Sequence, residues 1–596
     1  MQPQDLAYLS RYGFILLLVL ALASLLRAAL RDFQGRIRAG RKPVPGFFLL
    51  ATGKDDQNLV SSLPLFHTTS MGSARSSDIC LRDSSIAYRH AVIYIYNGAW
   101  FLAPSTGKVP LQINGVPITV PIPLEDQDRI DIGACRFIFV NERKAAAQAG
   151  LAYREETDGR RWERPQIHTL FPWFLLNLYM LGGGALMYVL QSGTGSVFRR
   201  TSLILLGLTF VSANLFYMIL PTIFRYVDRA ILLCCFQLIF LGNWIQIRFQ
   251  TLGWLPDELT QDVLTGVQGR LDMMLYLELF CLFVIPGILL LTAKTEVLER
   301  VSLACMILTP LMLLATRVLG SGAETHGASL WIHLGPISIQ LTEYVKIAYL
   351  IVLASFFKNR PPLKKQILFA CWAGLVFVLI MLLPDLGTIM VLLPTTIVVF
   401  FVMTSEYLIT AGILLVGSGL SILVYTLFPY VQRRISGWAS LWAEVNETNS
   451  QIVYGLQSIS RGAALGRGLG NGSPLGTPQY MDDMVFSALC EDLGLITGIA
   501  VVLLFIIIWL RGARMSMEVR DGFSSSLMLG LCTAFFMEAA VVISGTTGLI
   551  PLTGATLPFI ARGGSSFLAK ALVMALVLGL GARREKGRSF HEKLSA

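Results

Sequence analysis

The sequence predicts a polytopic α-helical membrane protein with an inserted all-β sandwich. Three observations point there. Of 596 residues, 54% are hydrophobic and only 14% charged, and the mean hydropathy is +0.62. Apolar stretches of roughly 20 residues, the length that crosses a hydrocarbon core, recur along the chain. One segment, 45–142, breaks this pattern with short β-branched and aromatic runs between turn signals.

By that ruler about thirteen spans are expected, at roughly 12–30, 170–190, 201–219, 230–248, 273–293, 299–317, 340–357, 366–383, 388–404, 407–428, 486–510, 524–547 and 564–582. The first runs from Phe14 to Leu26. Arg11 lies ahead of it, and Arg31, Arg36, Arg38, Arg41 and Lys42 lie behind. That asymmetry favours a retained anchor, 1–33, whose C-terminal side is cytoplasmic. Further basic clusters occur at Lys358, Arg360, Lys364 and Lys365, at Arg511 and Arg514, and at Arg583, Arg584, Lys586 and Arg588. An external N-terminus puts all of them inside. The same topology leaves Arg199 and Arg200 outside, against the rule. The net charge of +10 thus belongs to helix ends, and no nucleic-acid partner is expected. The nine cysteines show no metal-ligand or disulfide spacing, and no metal site is predicted.

Segment 45–142 falls on the cytoplasmic side. Val92 to Tyr96, Trp100 to Leu102 and Arg136 to Val140 read as strands, with Asn97-Gly98 and Asn114-Gly115 as turns. Residues 165–225 read as an additional membrane hairpin, 230–585 as the main membrane domain, and 586–596 as a cytoplasmic tail.

The polar run Tyr430–Asp483 falls outside, between long apolar segments. It carries Arg433, Arg434, Arg461 and Arg467 and ends in Asp482 and Asp483. Glu343 and Lys346 are three apart in an apolar helix, so they share a face and can pair. Ionisable groups at membrane depth are costly and mark functional sites by default, although a pair near a helix end can also snorkel. Pro384-Asp385-Leu386-Gly387-Thr388 interrupts a long apolar run; Asp385 is either the cap of the next helix or a ligand for a charged substrate group. Arg562-Gly563-Gly564-Ser565-Ser566 opens the last span, and the N–H groups of such a helix start suit an anion.

Two family resemblances follow from these motifs. The order Gly72, Asp78-Ile79, His90, Gly98-x-Trp100-x-Leu102, Asn114-Gly115, Leu124, Asp128 and Ile132-Gly133 resembles the forkhead-associated (FHA) domain, a reader of phosphothreonine on protein partners. Its phosphate-binding Arg and Ser positions are Ser73 and Ala87 here, which removes much of the phosphate grip unless Arg75 or Arg89 substitutes. His90 reads as a buried, turn-holding residue.

The membrane half resembles the SEDS family of bacterial peptidoglycan polymerases (RodA, FtsW, SpoVE). The matching stretches are Trp331 to Gly335 with Gln340, Glu343 and Lys346; Pro384 to Thr388; Gly462 to Asn471; Pro478 to Asp483 with Glu491 to Leu495; and Gly548 to Ser566. The family has ten spans, so the first three spans and the FHA-like module are additions. Departures are Ala328-Ser329-Leu330-Trp331 in place of Ala-Arg-Arg-Trp, Leu383 in place of Gln, Met481-Asp482 in place of His-Thr, and Arg562 in place of Tyr.

The resemblance implies glycosyl transfer from lipid II, with Asp483 as general base. It implies Glu343, Lys346, Asp385, Arg434, Arg467, Arg562, Ser565 and Ser566 as substrate-binding residues. It further implies a class B penicillin-binding protein transpeptidase as partner. Whether a divalent cation assists stays open. Asp483 as an N-cap of the following helix is the alternative at that residue. A lipid II transporter (flippase), or a non-catalytic membrane scaffold presenting the FHA-like module, are the alternatives for the whole chain.

Overall fold

The computed structural model describes residues 3–40, 44, 47–52, 59–66, 68–72, 78–81, 86, 90–96, 99–104, 111–133, 135–141, 169–193, 198–224, 227–251, 261–291, 295–320, 330–334, 337–358, 361–404, 406–442, 445–473, 477–519 and 521–582. The chain forms two compact units, one of Leu30–Ile167 and the other of Met1–Ala29 with His168–Ala596.

Helix α1 (Pro3–Gly40) precedes the β unit. Its strands are β1 (Phe47–Thr52), β2 (Leu59–Pro64), β3 (Thr68–Gly72), β4 (Ile79–Cys80), β5 (Ala91–Tyr96), β6 (Ala99–Pro104), β7 (Leu111–Ile113), β8 (Val116–Pro117), β9 (Ile122–Pro123), β10 (Arg129–Ile132) and β11 (Cys135–Asn141). They make two sheets, ordered β2-β1-β11-β10-β7-β8 and β4-β3-β5-β6-β9. Alternate residues point inward: Ile93, Leu102, Ile130 and Phe139 share one buried core. Between β7 and β8, Asn114 (φ 52°) and Gly115 (φ 81°) form the tight turn that the dipeptide predicts, since both left-handed positions suit Asn-Gly. The Asn114 side chain donates to Asp128 at 2.9 Å. His90 is buried, and its backbone N–H bonds Met71. Ser73, Arg75, Ala87, Arg89 and the Asn97-Gly98 turn lie outside the described residues.

The second unit is helical: α2 (Leu170–Gly193), α3 (Arg199–Ile223), α4 (Arg229–Thr251), α5 (Gln261–Leu291) and α6 (Thr295–Leu319) come first. A two-stranded hairpin follows, β12 (Trp331–Leu334) and β13 (Ile337–Gln340). Then come α7 (Leu341–Phe357), α8 (Leu363–Leu382), α9 (Leu386–Thr404) and α10 (Tyr407–Leu427). The polar run holds α11 (Pro429–Ala439) and α12 (Ser450–Gly462), and α13 (Val485–Leu493), α14 (Leu495–Glu518), α15 (Gly522–Thr546) and α16 (Gly564–Ala582) complete the unit.

Among the described residues, 12 helices are long and apolar enough to cross a membrane. The remaining expected span, 340–357, is the 17-residue α7, at the short end of what spans a bilayer. Leu408, Leu415 and Val416 of α10 face outward, as lipid-facing residues do. The chain is a multi-pass membrane protein. One expected span is different: 486–510 is not continuous. Gly494, at φ 87°, breaks it into α13 and α14. A Cβ there would lie 2.5 Å from the Ala464 carbonyl, so the break is packed against the 464–466 turn.

Candidate active site

Asp483 ends the polar run one residue before the Met484 N-cap of α13, and that cap makes no side-chain bond. Asp483 is therefore not the helix cap. Its carboxylate lies close to where a Cβ on Gly554 would stand, as does the guanidinium of Arg434. Among the described residues no donor bonds it and no ion pair neutralises it. Burial first, and the charge of Asp482 second, push its pKa from 3.8 up to about 7, with Arg434 opposing. A carboxylate so poised accepts protons near neutral pH.

Arg434 projects from α11. One of its Nη atoms donates to the Leu552 carbonyl at 2.9 Å, which fixes the side chain across the 552–554 loop. Burial lowers its pKa, and Asp385, Asp483 and Tyr430 oppose that shift. Asp385 reaches this group from the break before α9. It also caps that helix, accepting from the Thr388 N–H at 3.0 Å and hydroxyl at 2.8 Å. Gly387 lets the break approach Ala555, since a Cβ there would sit 3.2 Å from that side chain. Asp385, Arg434 and Asp483, remote in sequence, thus gather around one loop, 552–555.

The start of α16 lies along the same loop. Ser566 Oγ is 2.9 Å from Thr556 Oγ1, and Ser565 Oγ accepts from the Gln340 N–H at 3.4 Å. Both serines are buried. Arg562, just upstream, spends its Nε and an Nη on the two carboxylate oxygens of Asp482, at 3.1 and 2.7 Å. Its backbone N–H bonds the Met481 carbonyl, which also accepts from Gln246 of α4. Gly242, one turn earlier on α4, stands where a Cβ would be 2.0 Å from the Phe559 carbonyl. No larger residue fits there.

Glu343 and Lys346 do not snorkel. Both are buried, in a closed ring with Glu538 of α15 and Lys570 of α16. Lys346 Nζ lies 2.9 Å from Glu343 and 2.8 Å from Glu538. Lys570 Nζ lies 2.5 Å from Glu343 and 2.6 Å from Glu538. Each charge meets two of opposite sign, and the four sum to zero. Glu538 and Lys570 escape local sequence reading, because neither has a charged neighbour within a helical turn. Their signal is that each is an ionisable residue inside an apolar span.

Arg467 is not brought to Asp483. It sits on the glycine-rich turn, half-exposed, 3.7 Å from Glu491, which Arg461 also meets at 3.2 Å. Beside it, Asp492 is fully buried against Arg248 of α4 at 2.6 Å and accepts from the Gly472 N–H at 3.0 Å. The two acids at the end of α13 thereby shape the turn: Ser473 N–H bonds Glu491 at 3.0 Å, and Gly466, at φ 78°, sits where a Cβ would come 2.4 Å from the Asp492 carbonyl.

Comparison with known proteins covers both units. A family model for FtsW, RodA and SpoVE, described as "Cell cycle protein", matches residues 261–586. An FHA domain model matches residues 69–133. The peptidoglycan glycosyltransferase RodA of Mycobacterium tuberculosis is 32% identical over 282 residues, which covers 44% of this chain and 60% of that protein. Stage V sporulation protein E of Bacillus subtilis is 32% identical over 285 residues, 46% of this chain and 77% of that protein. The crystal structure of the rod shape determining protein RodA from Thermus thermophilus superposes with a TM-score of 0.41 at 20% identity, covering 60% of this chain and 97% of that one.

Proposed function

The chain belongs to the FtsW/RodA/SpoVE family of cell cycle proteins, and from that premise we propose that it is a peptidoglycan glycosyltransferase that polymerises lipid II. The observation that carries the reading is Asp483: a half-buried carboxylate outside the spans, bonded by no described donor, with its pKa raised to about 7. In this reading the 4-hydroxyl of an acceptor sugar attacks the anomeric carbon of a lipid-linked donor. The C–O bond to the diphosphate breaks, its electron pair leaves with the diphosphate, and the hydroxyl proton passes to Asp483. Arg434, beside that carboxylate, supplies positive charge to the leaving group, and the first N–H groups of α16 add theirs. Asp385 holds Arg434 in place electrostatically. The ring of Glu343, Lys346, Glu538 and Lys570 fixes α7, α15 and α16 beneath that surface, so Glu343 and Lys346 serve substrate binding by positioning. Arg467 contributes at the margin, through the glycine-rich turn.

The reading places the Tyr430–Asp483 run on the outer face and the FHA module in the cytoplasm, where it docks a protein partner. A class B penicillin-binding protein would cross-link the product. Purified protein supplied with lipid II, alone and with a co-purified transpeptidase, tests the assignment. Wild type should yield glycan polymer, and Asp483→Asn should lose about 10²-fold or more. Polymer formation undiminished in Asp483→Asn would remove the general-base role. Translocation of lipid II into vesicles without polymerisation would favour a transporter instead.

A further inference from the structure

Asp482 and Asp483 are adjacent, yet the structure treats them oppositely. Asp483 has no bonded partner among the described residues, whereas Asp482 is gripped at both oxygens by Arg562. That fork-to-carboxylate geometry is the strong form of an ion pair. Side-chain exposures of 42% and 28% mean that it adds little to stability. Its consequence is local. The Arg562 backbone N–H also bonds Met481, so side chain and main chain of one residue clamp two consecutive residues ahead of Asp483. The clamp is itself held from α4, where Gln246 donates to both Met481 and Ile560.

We propose that Arg562 and Asp482 form a positioning pair, in which Arg562 acts on the reaction through Asp482 by masking its charge from Asp483 and tethering the Met481–Asp483 segment to the start of α16. The proposal rests on the reading of Asp483 as the general base and reassigns Arg562 from direct substrate contact. An unmasked Asp482 would disfavour a second negative charge on Asp483, and a missing Asp482 would favour it. The other charged and titratable groups around these two acids are Arg434 and Tyr430 of the α11 region, Asp385 before α9, Tyr480 upstream, Arg248 of α4 and Arg270 of α5. None of them forms an ion pair with Asp482 among the described residues, so Arg562 is the group whose removal unmasks its charge.

The test is the pH profile of lipid II polymerisation in wild type, Arg562→Gln, Asp482→Asn and the double variant. The acid limb should move to higher pH by about one unit in Arg562→Gln and to lower pH by a similar amount in Asp482→Asn. The double variant should return close to the wild-type limb. Loss of a purely structural contact would lower the rate in all three and leave the limb in place, which would overturn the proposal. A raised KM for lipid II in Arg562→Gln with an unmoved limb would overturn it too, in favour of direct substrate contact. Infrared titration of the protonated carboxyl band that disappears in Asp483→Asn reads the same shifts without any reaction. Opposite shifts of that band in a protein that makes no polymer would retain the pair and reject the polymerase reading. An unmoved band would reject the pair alone.

Discussion

Lys570 and Glu343 stand 227 residues apart in the chain and 2.5 Å apart in the fold. That contact closes a ring of four charges across α7, α15 and α16, at a depth where an unpaired ion is heavily penalised. Lys570→Met would leave two carboxylates sharing one ammonium. We expect a loss of about 3–5 kcal/mol, read as a lowered unfolding temperature in detergent. Replacing Lys570 and Glu538 together, with Met and Gln, should cost less than Lys570→Met alone, because the remaining Glu343 and Lys346 still neutralise each other.

Asp483→Asn separates activity from folding. Polymerisation should fall by about 10²- to 10⁴-fold, with expression and oligomeric behaviour unchanged on size-exclusion chromatography. In the wild type, activity should decline about tenfold per pH unit below about 7, as the carboxylate protonates.

The same group carries a stability signature of definite sign. The folded carboxyl titrates near 7 and the unfolded one near 3.8. The folded form therefore binds its proton more tightly, and its contribution favours folding at low pH. That contribution is lost as pH rises from about 4 through about 7. Asp483→Asn cannot ionise and escapes the loss. Its unfolding temperature relative to wild type should rise between pH 5 and pH 8, measured by thermal scans in matched buffers.

Arg248→Leu strips the partner from Asp492, which is fully buried. A loss of about 3–5 kcal/mol is expected. The glycine-rich turn that Asp492 holds should loosen, so protease cleavage within 462–473 should appear in the variant before any cut in the helical spans. Equal protection in both proteins would show that the turn is held by its glycines alone.

Much of this architecture could be read locally. The alternating strands, the Asn114-Gly115 turn and the long apolar helices all express short-range rules, and Glu343 with Lys346 declares itself by three-residue spacing. What stayed hidden depends on distance in the chain. Glu538 and Lys570 have no local counterpart, and Arg248 finds Asp492 across 244 positions. The interruption at Gly494 is a tertiary decision: apolar residues flank Glu491 and Asp492 on both sides, and the packing of the 464–466 turn against Gly494 requires a left-handed residue there. Asp385 and Arg434 could be named as candidates from sequence, but their convergence on Asp483 needed the folded 552–555 loop. Arg467, equally attractive in a linear reading, turned out to serve a neighbouring turn.

The contact between Gly242 and the Phe559 carbonyl sets a spacing that chemistry alone would not. With no side chain between them, the α4 backbone works as a shim of fixed thickness under the strand of loop that ends in Arg562. Even one added methyl group would lift that loop away from α4, and the guanidinium with it. A single hydrogen on one span thus governs how closely the loop that ends in Arg562 can lie against α4.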